Sequence, residues 1–173
     1  MAWRFGFDPS PERTARRSPK PSAACLRSLV TALIQQLTAT DDRHHLAWAA
    51  LPLTGGDPPG YGAASIWRED GDPASAEFSV TVADEFQDRG VGTLLLAILW
   101  IEGRKRGVET FLAHVLESNL AARAWFESLG ASATRHQRHW TFRLRLDASL
   151  LDSSSASEKL RRRLEELQPG LPL

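Results

Sequence analysis

The chain holds a single cysteine, a single methionine and a single tyrosine among 173 residues. Cys25 alone can close no internal disulfide, and no cluster of Cys and His has zinc-ligand spacing; the expectation is no structural metal and a reducing, cytoplasmic setting. Charge of one sign is also missing, since Lys plus Arg and Asp plus Glu each total 21. Without a basic excess, nucleic acid and anionic membrane surfaces are not expected partners. Nowhere do about 18 apolar residues run together, and no apolar stretch follows the first charges, so neither a membrane span nor a signal peptide is read. No internal repeat is visible. What is present is enough apolar residue for the core of one ordinary domain.

Along the chain, residues 1–21 combine several prolines with Arg4, Arg13, Arg16, Arg17 and Lys20 and show no period, so a loosely ordered segment is expected there. From Ser22 the stripe Leu26, Leu29, Val30, Leu33, Ile34, Leu37 predicts an amphipathic helix. His44–Leu53 and Tyr61–Trp67 read as a strand pair joined across a Gly- and Pro-rich turn. Arg68–Ala74 reads as a loop. Glu77–Val82 alternates Phe78, Val80 and Val82 with Glu77, Ser79 and Thr81, which gives a strand one apolar and one polar face. Val91–Arg106 is apolar over much of its circumference and ends in Arg104, Lys105 and Arg106 before Gly107, a buried helix with a cationic last turn. Val108–Leu116 reads as a strand and Asn119 as the cap of a helix stopped by Gly130. Ala131–Leu146 has room for a strand pair or one long bent strand. Thus 22–147 forms the expected domain, and 148–173 a Ser-rich linker (Ser153–Ser157) with a short helix, read as a solvated or docked tail.

The segment Gln87-Asp88-Arg89-Gly90-Val91-Gly92-Thr93 stands between a strand and a helix. Amide groups at a helix N-terminus lack intrahelical acceptors and, with the helix dipole, attract anions; residues without side chains at 90 and 92 let a diphosphate approach the backbone. Arg89 and the Thr93 hydroxyl can add a cation and a donor. A Walker loop would require Gly-Lys-Ser/Thr, and Gly92 is followed by Thr93; a dinucleotide motif would require a glycine where Asp88 stands. Paired glycines that serve the turn alone are the bland reading.

The order of Glu-bearing strand, Gln87-x-x-Gly90-x-Gly92, long helix, strand, Glu117-Ser118-Asn119, short helix and Leu129-Gly130 resembles the Gcn5-related N-acetyltransferase (GNAT) superfamily, most strictly from about Ala76 to Gly130. The resemblance implies an α+β fold, a mixed, mostly antiparallel twisted sheet flanked by helices, and acetyl-CoA as co-substrate. It implies that Gln87 to Thr93 hold the CoA diphosphate, that Val80 and Val82 bond the pantetheine through their backbone, and that Asn119 lies near the cofactor. Leu37-Thr38 with Asp41, His45-Leu46-Ala47, Ala76-Glu77-Phe78, Val82, the loop with Leu94-Leu95-Leu96, Val115-Leu116-x-x-Asn119, and upstream Ser10-Pro11-Glu12 and Arg16-Arg17 resemble the bacterial Pat-type protein-lysine acetyltransferases. Against that pattern most of the first strand and the start of the following helix are expected to be missing, unless Trp3 to Phe7 supplies a stub.

An amine acceptor must lose a proton before it attacks a thioester, because an alkylammonium has a pKa of about 10.4. The Pat-type resemblance assigns the base to Glu77, and strand alternation puts it on one face with Ser79 and Thr81. Asp84 and Glu85 read as turn residues. Phe126 stands where many relatives carry a tyrosine acid, and Tyr61 lies far upstream; His114 is a substitute donor or a residue of the strand's packing. Trp48, Trp67, Trp100, Trp125 and Trp140 are assigned to packing, and Arg135 to Arg145 with His136 and His139 to a solvated face. The expected activity is transfer of an acetyl group to a primary amine, protein lysine ahead of a small molecule, by a monomer or homodimer. Rival readings are a non-catalytic acyl-CoA sensor, and a module that sets the basic N-terminal segment on nucleic acid.

Overall fold

A computed structural model describes residues 44–51, 60–69 and 71–168. The predicted helix from Ser22, the stub of the first strand, Cys25 and most of the hairpin turn lie outside the described residues. The elements in order are β1 (His45–Ala50), β2 (Gly62–Glu69), β3 (Asp72–Val82), α1 (Val91–Lys105), β4 (Thr110–Leu116), α2 (Leu120–Ser128), β5 (Ser132–Arg135), β6 (His139–Arg145) and α3 (Ser155–Leu167), with short 3₁₀ turns at Asp84–Phe86 and Ala148–Leu150.

The strands form one six-stranded sheet in the order β1-β2-β3-β4-β6-β5. Every neighbouring pair is antiparallel except β3 and β4, which run parallel. That parallel pair follows from α1, since a parallel return needs a crossover of a dozen or more residues. Ala131–Leu146 resolves as two strands rather than one, and β3 starts at Asp72 rather than at Glu77. The earlier start comes from pairing: Glu69 lies opposite Asp72 across a register shift at Arg68/Glu69, and Arg68 Nη2 donates to Pro73 O at 3.0 Å. Asp72-Pro73-Ala74-Ser75 has no alternation of its own and carries a proline that gives the ladder no N–H, so tertiary partners recruit it.

The apolar alternation decides which face is buried. Ile66, Phe78, Val80, Phe111, Val115 and Phe142 all point to one side and are at most 5% exposed. On that side α1 packs against β1, β2 and β3, burying Leu95, Leu96 and Leu99 almost completely, each worth about 1.5–3 kcal/mol. Phe78 stacks on Phe111 at 5.3 Å, Phe126 of α2 meets Phe78 edge-on at 6.3 Å, and Phe142 stacks on Phe126 at 5.3 Å, so one aromatic row ties α2 to β3, β4 and β6. Glu77, Leu112, His114, Thr141 and Arg143 face the other way, by the same alternation and the pairings Glu77↔Leu112, Leu112↔Arg143 and His114↔Thr141.

The C-terminal serines form a joint, and α3 starts at Ser155, inside the run read as linker. Ser154 caps it by accepting from Ser157 N at 3.1 Å. The Ser154 hydroxyl donates to Ser128 O, and the Ser157 hydroxyl lies 3.1 Å from the same carbonyl and 2.8 Å from Asp152 Oδ1. Ser128 closes α2, so its carbonyl is one of those a helix end leaves without an intrahelical donor. Leu160 and Leu164 are buried as α3 lies against α1 and touches α2. Two predicted core tryptophans are surface residues instead: Trp48 is 45% and Trp67 43% exposed, because both stand on the two outermost strands at that edge of the sheet.

Candidate active site

The pairing of β3 with β4 stops early. Ser75↔Thr110, Ala76↔Phe111 and Glu77↔Leu112 are its only rungs, yet β3 runs on to Val82 and β4 to Leu116. Beyond Glu77 the two strands part, and a gap opens in the sheet. The direction of the backbone groups along it can be worked out. Ala83 N donates to Tyr61 O beside β2, while Ala74 O accepts from Glu109 N on the β4 side. Even-numbered residues of β3 therefore aim N–H and C=O away from β2, which directs those of Val80 and Val82 into the gap. Gln87 Nε2 donates to Val82 O at 3.2 Å and to Asp84 Oδ1 at 3.1 Å, so its side chain braces the loop against the end of β3.

On the helix-covered face a cleft of about 470 Å³ adjoins this gap, within the range of small-molecule sites. Val80, Val82 and Phe86 form its apolar wall; Gln87, Asp88 and Gly90 with Val91, Gly92 and Thr93 also line it. Backbone geometry accounts for the loop sequence. Gly90 is the N-cap of α1 at φ 82, with no side-chain cap and no acidic residue in the first turn, and Asp88 also takes a positive φ of 58, a region that glycine and, less often, Asp tolerate. The first helical bond is Leu94 N to Gly90 O at 2.9 Å. The amides of Val91, Gly92 and Thr93 precede it and have no intrahelical acceptor. A β-carbon on Gly92 would meet nothing nearer than Val82 Cγ2 at 3.7 Å; the fold itself has room for a methyl group there.

The predicted residues divide. Val80, Val82, Gln87, Asp88, Gly90, Val91, Gly92 and Thr93 come together around the cleft. Arg89 does not line it; its guanidinium lies 5.5 Å from the centre of the Phe86 ring. Asn119 does not line it either, and its Oδ1 accepts from Ala122 N at 3.2 Å as the cap of α2. Glu77 sits half-buried at the last β3–β4 rung, on the opposite face, at the head of the gap and directly across from Trp67. His114 lies on that same face, with Nδ1 3.1 Å from Thr141 Oγ1. It neighbours His139 at 5.7 Å, and His139 stacks on His136 at 4.6 Å. Partial burial, then the neighbouring His136 and His114, hold the His139 imidazole below its ordinary pKa. Among the described residues no three His, Cys, Asp or Glu side chains are grouped to hold a metal ion.

Residues 13–131 match the Acetyltransferase (GNAT) family. The chain belongs to this family. It is 33% identical over 106 residues to Acetyltransferase Pat of Mycolicibacterium smegmatis, covering 61% of this chain and 31% of that protein. It is 41% identical over 63 residues to the [Ribosomal protein bS18]-alanine N-acetyltransferase of Salmonella typhimurium, covering 36% of this chain and 43% of that enzyme. The chain thus spans about a third of the length of the Pat relative and under half of the other. Among solved structures, the GNAT domain of S. lividans PAT superimposes with a TM-score of 0.59 at 24% identity, over 66% of this chain and 68% of that one. A cAMP-binding acyltransferase from Mycobacterium smegmatis does so with a TM-score of 0.54 at 26% identity, over 84% of this chain and 45% of that one. The sheet with its parted parallel pair is the GNAT fold.

Several cleft residues of this GNAT chain escaped sequence reasoning. Trp125 and Ala121 of α2 and Ser155, Ala156 and Lys159 of α3 complete the walls. The sequence assigns Trp125 to packing because it lies on a helix whose packing would account for it. Phe126 is fully buried, and Trp125 is the one that faces the cleft. For α3, nothing local in Ser-Ala-Ser-Glu-Lys marks a cleft wall; the helix reaches it through contacts with Ser128, far away in sequence.

Proposed function

We propose that this chain is an acetyl-CoA-dependent N-acetyltransferase acting on a primary amine, with a protein amine favoured over a small metabolite. The observation that carries this reading is the continuity of three parts. The uncapped N-terminus of α1 offers amides to a diphosphate, the unpaired edge of β3 offers backbone groups to a pantetheine amide, and the gap leads through the sheet to the face bearing Glu77. A thioester threaded this way has its diphosphate at Gln87 to Thr93 and its acyl carbon beside the end of the β3–β4 pairing.

Glu77 takes a proton from the incoming ammonium, directly or through a water. The freed amine attacks the thioester carbonyl, a C–N bond forms, the C–S bond breaks with CoA leaving as thiolate, and the surplus proton on nitrogen passes to that thiolate or to water to leave the amide. Base catalysis of this kind contributes about 10² to 10⁴ in rate, and oriented approach of the two reactants supplies much of the remainder. With Phe126 inside the core, the position that carries a tyrosine in many relatives supplies no acid, and the modest pKa of the CoA thiol makes that tolerable. The Pat and bS18-alanine relatives, together with the open polar face around Glu77, favour an acceptor presented on a protein. Lysine stands ahead on the resemblance to the Pat-type enzymes.

Replacing Glu77 by Gln should lower the acetylation rate at least tenfold while leaving acetyl-CoA affinity nearly unchanged, as read by CoA release and by calorimetry on the same preparation. An unaltered rate removes Glu77 from the chemistry. Binding without turnover on any peptide or small amine would favour a sensor over an enzyme.

A further inference from the structure

The acetyl-CoA reading leaves one wall of the cleft unused. It is the first turn and a half of α3, where Ser155, Ala156 and Lys159 line the same space as Gly90 and Gly92. Lys159 is the only Lys or Arg among the described residues that line the cleft, and Asp88 is the only carboxylate there. Lys159 is exposed and has no ion-pair partner among the described residues, although the other basic residues of its helix are engaged: Arg162 and Arg163 with Glu166, and Arg161 with Leu151 O and Asp152 O. Ser155 and Ala156 stand in the first turn, where amides have no intrahelical acceptor. The joint at Ser128 fixes all of this relative to α2.

Resting on the acetyl-CoA reading, we propose that Lys159 and the first turn of α3 hold the 3′-phosphate of the coenzyme, so that this C-terminal helix discriminates CoA from its 3′-dephospho form. The amides of α1 take up the diphosphate. The remaining phosphate of CoA is the 3′ group at the nucleotide end, a dianion near neutral pH, and the free cation of the cleft lies on the wall that α3 supplies. Because Lys159 is solvent-accessible, the interaction is screened by salt and modest in size. It therefore sets preference between two coenzyme forms more than it sets overall binding.

The test is a calorimetric titration of the full chain with CoA and with 3′-dephospho-CoA, for the wild type, Lys159→Ala and Lys159→Arg. Alanine at an exposed helix position favours the helix, so the fold is retained. The wild type should prefer CoA by about five- to tenfold at low salt, in line with one exposed charge-assisted contact of about 1 kcal/mol. Lys159→Ala should reduce the preference to about twofold or less, with dephospho-CoA affinity unchanged, and Lys159→Arg should keep most of it. A preference that survives in Lys159→Ala, or an equal loss for both ligands, overturns the assignment while leaving the acetyl-CoA reading in place. If the wild type binds neither coenzyme, the acetyl-CoA reading fails first and the assignment falls with it.

Discussion

At the scale of single residues, the two loop glycines serve different needs. Gly90 is required by the chain itself, because at φ 82 a β-carbon is strained even in open space. Gly92 is not, since its surroundings admit a methyl group and alanine inside a helix is favoured over glycine by about 1 kcal/mol. Gly92→Ala should therefore unfold in denaturant no more easily than the wild type, yet bind CoA at least about tenfold more weakly because the methyl group stands where the diphosphate approaches. Equal affinity in both proteins would mean that the glycine serves only the turn. The need for glycine at Gly90 was legible in the sequence, because that demand comes from backbone and is written in residue type. The partition between Trp125 and Phe126 was not: both fall on the inward arc of α2, and only the aromatic row Phe78–Phe126–Phe142 decides which of them turns into the core.

At the scale of elements, the strand alternation of β3 foretold its two faces, and the strand–loop–helix order foretold where α1 starts, without a side-chain cap, at Gly90. The gap between β3 and β4 could not be read, because where pairing stops depends on partners far away in sequence. The role of α3 was hidden for the same reason; a run of serines has the composition of a linker until Ser128 O and Asp152 give its hydroxyls somewhere to go. That joint has a pH signature. Hydrogen bonds from the Ser154 backbone amide and then from the Ser157 hydroxyl hold the Asp152 carboxyl below its ordinary value of 3.8. A depressed folded-state pKa gives stabilisation that is full above the unfolded-state value and is lost as pH falls through the lower, folded-state one. Asp152→Asn should accordingly be less resistant to urea than the wild type at pH 7, and the difference should shrink below about pH 4. A difference that stays constant across that window would show that the carboxylate charge is not what anchors the helix.

At the scale of the whole molecule, α1 and α2 pack on one face of a six-stranded sheet and α3 lies against both, while the opposite face around the gap carries Glu77, His114 and Thr141. Under the proposed function, coenzyme and acceptor would approach from opposite faces and meet where the sheet is open, so neither would need to leave for the other to enter. The measurement that tests this account most directly is titration of acetyl-CoA into the full chain by calorimetry, with Gly92→Ala as the matched control. The account predicts saturable binding at one site per chain, weakened at least about tenfold in the control. The absence of measurable binding of acetyl-CoA and CoA to the folded wild-type protein would contradict it.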